Sequence, residues 1–209
     1  KYIITMAFTA ASTESNKSLP LNFIATNNNS FISRHHSTKL YGIRNIDCSR
    51  GRVTIHRGCV VRGDYDVPIR FGRYAEIKSG SVIRPSLNKN EESDEAIEHT
   101  YNPVAIGSHT SIGENCVIEA VSIGSNVNIG ARCVIGARSV IRDNCIVEKD
   151  SIIPPDSVIP PFSHVYGRPG RRKGDVQESY AVMGVEDAVE RYIKFAREIK
   201  NQRQIQPEN

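Results

Sequence analysis

The sequence predicts an all-β chain, a parallel β-helix of stacked triangular coils, followed by one C-terminal α-helix. Three observations predict it. Between Ile106 and Val165 an aliphatic residue returns ten times, six positions apart with a single slip of five: Ile112, Ile118, Ile123, Ile129, Ile135, Ile141, Val147, Ile153, Ile159 and Val165 follow Ile106. Five of these open an Ile-Gly pair, and the residue four further on is usually small, as at Thr110, Cys116, Val127, Cys133, Ser139 and Cys145. From Val185 to Lys200 the period becomes helical, with Val185, Ala188, Val189, Tyr192, Ile193, Ala196 and Ile199 on one side. Period six fits neither a helical face nor continuous alternation; it is the repeat of a parallel β-helix.

Each hexad reads as a short strand plus a turn. In Thr110-Ser111-Ile112, alternation puts Thr110 and Ile112 on the inner side and Ser111 on the outer side. The glycine after the aliphatic suits the corner, because it lacks a Cβ and accepts unusual φ/ψ. Three sides make a coil of about 18 residues, and coils stack about 4.8 Å apart. Ile123, Ile141 and Ile159 are therefore expected in one column, Ile129, Val147 and Val165 in a second, and Ile135 and Ile153 in a third. Weaker copies lie upstream at Ile55 and Val61 and at Phe71, Ile77 and Ile83, with Ile43 and Ile46 at the start of the first coil. The total is about six coils, a prism about 25–30 Å long.

The flanks divide the chain. Residues 1–21 read as a disordered N-terminal extension, with 22–40 an arm along the first coil. Tyr2–Ala11 loosely resembles a signal peptide, but it is short and interrupted by Thr5; Met6 reads as the natural initiator, which an intact mass of the native protein checks. The β-helix spans 22–170, with a loop insertion at 86–103 that carries Glu91, Glu92, Asp94 and Glu95. Insertions in solenoids map to one exposed face. Residues 171–209 read as a basic linker and the amphipathic helix, which folds back on a prism face and carries the i,i+4 pairs Asp187/Arg191 and Glu190/Lys194.

Composition narrows the function. The 209 residues hold no Trp, and aromatics make up 7%. Both fit a narrow core of stacked Ile and Val. The net charge of +4 is spread out, clusters only at Arg168–Lys173 and is not interleaved with aromatics, so nucleic acid is not an expected partner. No run is long enough to span a membrane. Cys59, Cys116, Cys133 and Cys145 each fall four residues after an aliphatic corner and read as small core fillers. Without a CxxC they read as reduced thiols, although Cys116 and Cys133 are expected on adjacent coils. No two of the six histidines have metal-pair spacing, and no phosphate-binding loop occurs.

The stretch Val61-Arg62-Gly63-Asp64, with Pro68–Gly72 and Ile77–Val82, resembles the γ-class carbonic anhydrases. That resemblance implies a left-handed β-helix, whereas general crossover rules favour the other hand. It also places the family's three zinc-binding histidines at Arg84, Glu114 and Glu119 and its Gln at Lys78, while its Arg and Asp remain as Arg62 and Asp64. Zinc needs neutral imidazoles or anionic donors. Arg84 cannot deprotonate and repels a cation, so no catalytic zinc and no cofactor are expected. The carboxylates read as neutralised by Arg84 and Lys78, and Arg62 and Asp64 as a structural pair. Hexapeptide acyltransferases use one coil-edge histidine as general base, a role for which His99 or His109 are the candidates.

Read with its flanks, the chain is most similar to the dynactin subunit 5 family. The segments that carry this are FIATNNNSFISR (23–34), CVVRGDYDVPIRFGRYAEIKSGSVIRPS (59–86), the repeat over 106–145 and IPPDSVIPPFSHVYGRPG (153–170). The resemblance covers about 22–175. It implies a non-enzymatic scaffold in the cytoplasm and on the cytoskeleton, a pointed-end subunit of the dynactin complex supporting dynein-driven transport. Implied partners are dynactin subunit 6, dynactin subunit 4, the pointed-end actin-related protein and dynein cargo adaptors. Partner contacts are expected at Arg84, Glu91, Glu92, Asp94, Glu95 and Tyr101. The N-terminal region to about Leu21 has no counterpart in the family pattern. The acidic loop and the stretch after Gly170 are more charged than that pattern.

Overall fold

A computed structural model describes residues 23–89 and 100–205, with side chains to residue 201. Strands of two to five residues line three faces of a prism. The first face stacks Phe31–Ser33, Thr54–Ile55, Glu76–Ile77, Ser111–Ile112, Asn128–Ile129, Ile146–Val147 and Ser163–Tyr166. The second stacks Lys39–Tyr41, Val60–Arg62, Val82–Ile83, Val117–Ile118, Val134–Ile135 and Ile152–Ile153. The third stacks Ile46–Asp47, Ile69–Phe71, Val104–Ile106, Ser122–Ile123, Val140–Ile141 and Val158–Ile159. All these pairings are parallel, and the fold is a left-handed β-helix of about six turns.

The expected columns form in register. Ile123 pairs with Ile141 and Ile141 with Ile159; Ile129 pairs with Val147 and Val147 with Val165; Ile135 pairs with Ile153. Ile55, Ile77, Ile83, Ile112, Ile118, Ile135 and Ile153 are fully buried. Each such side chain contributes about 1.5–3 kcal/mol relative to exposure. The small residue four positions on does more than fill space. It satisfies corner carbonyls: Thr110 Oγ1 donates to Gly124 O (2.7 Å), Ser81 Oγ to Gly113 O (2.7 Å), Cys116 Sγ to Gly130 O (3.1 Å) and Cys133 Sγ to Glu148 O (3.0 Å).

The corner glycines differ from expectation. The left-handed φ falls two residues later, on non-glycine residues: His109 (φ 60), Asn115 (54), Asn126 (56), Arg132 (58) and Arg138 (59). Gly107, Gly113, Gly124, Gly130 and Gly136 have no positive φ. A Cβ at Gly107 would run into the backbone of Gly124, and one at Gly113 into that of Gly130, each one coil further on. Close coil-to-coil approach, not φ, demands glycine there.

Both ends of the first face are closed by antiparallel strands. Phe23–Ala25 pairs with Phe31–Ser33, and Arg171–Asp175 pairs with Ser163–Tyr166. Two expectations are corrected. Residues 23–41 are not an arm but a hairpin and the first second-face strand, because Phe31, Ile32 and Leu40 have core to fill. The basic residues after Gly170 are not a linker at their start, because they supply hydrogen bonds that cover the last coil. The expected extension 1–21 lies outside the described residues.

Helix α1 (Tyr180–Ile205) extends further at both ends than the predicted 185–200. It runs back along the prism, burying Gly184, Ala188 and Ile199 and half-burying Tyr192 and Phe195. Phe195 packs edge-on against Phe23 (5.0 Å) and Phe31 (5.6 Å), and Tyr192 meets Phe31 (5.8 Å) and Tyr74 (5.4 Å). Tyr192 Oη donates to Asn29 O (2.5 Å), and Asn126 Nδ2 donates to Tyr180 O (3.0 Å). Ile193, expected on the packed side, is 41% exposed. The partner surface is aromatic and turns the helix so that Phe195 takes that place. Among the described residues no helix is long and apolar enough to cross a membrane.

Candidate functional site

Arg62, Asp64, Arg84 and Glu119 lie along the edge where the second face turns into the third. Arg84 follows Ile83 and Glu119 follows Ile118, one coil further on; the register Ile83 to Ile118 to Ile135 stacks them. Arg84 Nε donates to Glu119 Oε1 at 2.6 Å, and its Nη2 reaches the same oxygen. Glu114 sits elsewhere. It follows Gly113 at the preceding edge, where its carbonyl accepts from Arg132 N (2.7 Å) and its side chain is exposed. Within one chain, then, two of the three positions form an ion pair, and the third lies on another edge of the prism. Lys78 lies beside Glu76 rather than this pair. Among the described residues no three His, Cys, Asp or Glu side chains are grouped to hold a metal ion.

Arg62 and Asp64 pair more fully. Arg62 Nε donates to Asp64 Oδ1 (2.8 Å) and Nη2 to Oδ2 (2.9 Å), a two-toothed bond. That bond holds the Asp64 carboxyl below its ordinary range. The guanidinium also lies over the rings of Tyr65 (4.9 Å) and Tyr41 (5.3 Å), and Tyr65 packs on Tyr101 (4.3 Å). Sequence reasoning named Arg62, Asp64 and Tyr101 but missed Tyr41 and Tyr65. The pairing of Tyr41 with Arg62 across a 21-residue coil was the signal, and it is hidden by the longer first coils.

The insertion closes on a stem. Leu87 bridges Tyr101, Asn88 N donates to Thr100 O (2.9 Å) and Asn102 N to Ser86 O (2.8 Å). Lys89 Nζ reaches Asp156 (2.5 Å), and Arg138 donates to both Leu87 O (3.2 Å) and Asp156 (2.7 Å), which ties the stem to later coils. Glu91, Glu92, Asp94, Glu95 and His99 lie outside the described residues.

The other candidate base, His109, stacks on Tyr74 (5.3 Å); burial, then the charge of Arg73, holds its imidazole below the ordinary range. Beneath α1, Glu76 binds His56 (3.3 Å), Ser111 (3.3 Å) and Arg191 (3.4 Å). Burial there pushes the Glu76 carboxyl up, but His56, Lys78 and Arg191 together outweigh it and leave the group below its ordinary value. This cluster fastens the helix and lines only a small crevice with Tyr74 and Tyr192. Burial pushes the Cys48 thiol up to about 12 and the Cys59 thiol up to about 11, so neither is a nucleophile at neutral pH.

The chain is similar in fold to a hexapeptide transferase family protein from Anaplasma phagocytophilum, with a TM-score of 0.53 and 18% identity, covering 81% of this chain and 93% of that one. At that identity the likeness concerns the fold alone. Dynactin subunit 5 of Dictyostelium discoideum is 41% identical over 103 residues, which is 49% of this chain and 48% of that protein. The chain thus matches about half the length of that curated relative. A sequence profile described as Dynactin subunit 5 matches residues 14–200, most of the chain. This chain belongs to the dynactin subunit 5 family.

Proposed function

We propose that this chain is a non-catalytic structural subunit of the dynactin complex. The observation that carries the proposal is the family match across residues 14–200. Its place is the cytoplasm, on the cytoskeleton, at the pointed end of the complex, where it supports dynein-driven transport. There it pairs with dynactin subunit 6, contacts dynactin subunit 4 and the pointed-end actin-related protein, and helps to recruit cargo adaptors. The contacts run through Arg84, Tyr101 and the loop that carries Glu91, Glu92, Asp94 and Glu95. The mechanism is positional: a rigid prism holds edges and loops at fixed spacing.

The Arg84–Glu119 pair supports the non-catalytic part of this reading. Where a γ-class anhydrase presents imidazoles, this edge presents a guanidinium bonded to a carboxylate. Capture of the tagged chain from native cytosol, analysed by mass spectrometry together with zinc content and acetyl-CoA binding, tests both parts. The expected result is recovery of an actin-related filament with no stoichiometric zinc and no bound acyl donor. A lone trimer holding zinc or acetyl-CoA would overturn it in favour of an enzyme.

A further inference from the structure

The three prism faces carry different outward side chains. On the first face the outward column runs Thr54, Glu76, Ser111, Asn128 and Ile146, and α1 covers much of it. On the third it runs Asp47, Arg70, Ala105 and Ser122 before reaching Val140 and Val158. On the second it begins with Lys39 and then runs Val60, Val82, Val117, Val134 and Ile152, aliphatic in five successive coils. Strand formation does not require this, since the third face builds the same strands from Arg, Ala and Ser. The column is about 19 Å long at the spacing of stacked strands. No described element packs over it, and Val134 and Ile152 are 38% and 37% exposed. A continuous aliphatic row on a rigid sheet marks an interaction surface.

The margins of this face decide what fits it. Along the edge before the face, Arg57, Lys78, Arg132, Lys149 and Arg168 outnumber Glu114, Glu148 and Asp150, with Asp150 shared by Arg132 and Arg168. Along the edge after it, Asp64 and Glu119 are already held by Arg62 and Arg84. A second copy of this chain, laid face to face, would bring cationic margins together. We infer that the second face is a docking surface for a different protein, one that presents a flat aliphatic face bordered by carboxylates. The aliphatic row supplies the buried centre, and the basic margins set the partner and the register. Tyr41, 46% exposed at the N-terminal end of this face and stacked on Arg62, adds an aromatic anchor.

This inference rests on the reading of the chain as a dynactin subunit. Its test expresses tagged chains in cells, in place of the endogenous protein, and measures the fraction that sediments with the actin-related filament. Val134→Glu with Ile152→Glu places two carboxylates in the row. Val158→Glu, on the third face and at a 62% exposed position, is the control. Arg132→Glu with Lys149→Glu reverses one margin. Thermal unfolding of each purified variant verifies that the prism is intact, as expected for outward positions. The expected result is at least tenfold less incorporation for the double carboxylate variant, a smaller loss that grows with salt for the margin variant, and none for Val158→Glu. Equal incorporation of all variants would overturn the inference and leave the subunit reading standing. Failure of the wild-type chain to sediment with the filament would overturn both. A wild-type homodimer that Val134→Glu dissociates would overturn the assignment to a different protein.

Discussion

Substituting Gly107 tests the account of the corners directly. Gly107 N donates to Ile123 O at 2.8 Å, and a Cβ on Gly107 would fall on the backbone carbonyl group of Gly124. Backbone cannot rotate aside as a side chain can, so Gly107→Ala must lift one coil from the next or bend both. Overpacking of this kind costs about 1–3 kcal/mol. With a urea dependence of about 2 kcal/mol per molar, a loss of 2 kcal/mol lowers the unfolding midpoint by about 1 M. Gly174→Ala is the control: its Cβ would meet nothing within 4 Å, and the expected change is within about 0.5 kcal/mol. Gly107→Asn separates the two explanations of the glycine. If a left-handed φ were the requirement, Asn would be better tolerated than Ala; because the requirement is space, Asn is expected to cost at least as much. The assay is urea unfolding followed by far-ultraviolet circular dichroism. A Gly107→Ala midpoint equal to that of Gly174→Ala, or an Asn variant clearly more stable than the Ala one, would refute the reasoning.

Phe195→Ala removes the edge-on contacts with Phe23 and Phe31. It is expected to cost about 1–3 kcal/mol of helix docking, less than a fully buried Phe; hydrogen exchange within α1 quickens while the prism amides stay protected, and equal protection of both would count against the contact. Glu76 has a carboxyl pKa depressed on folding, so its contribution is present above its ordinary value of 4.5 and is lost as pH falls below it. Protection of α1 should therefore weaken on acidification through that range, and Glu76→Gln should flatten the dependence; an unchanged acid profile in that variant would assign the effect elsewhere. The Cys48 and Cys59 thiols, raised to about 12 and about 11, should resist alkylation at pH 8 in the folded chain and react only after unfolding. Rapid labelling of native Cys48 would show that the core is more open than described.

Most of the prism was legible because one chemical fact repeats. Every coil needs an inward aliphatic at the same place, so Ile106 to Val165 spells out its own columns. Upstream the signal fades because the coils lengthen: Val60 pairs with Val82 and Val82 with Val117, the second across the insertion. Period counting alone cannot carry register over such inserts. The packed side of the helix was misread at Ile193 and Phe195 for another reason. Both are apolar, and only the surface beneath, aromatic at Phe31 and Tyr74, decides which is packed. Of the candidate site, the Arg84–Glu119 and Arg62–Asp64 pairs follow from charge and coil stacking. The tyrosines around Arg62 and the aliphatic row on the second face become visible only once coil register is known.

The most direct test of the central claim is the sedimentation of the tagged chain in native cytosol at moderate salt. The account predicts that it travels with a large, filament-bearing assembly that also holds dynein. A chain that sediments alone as a small species, carrying zinc or binding an acyl donor, would contradict it.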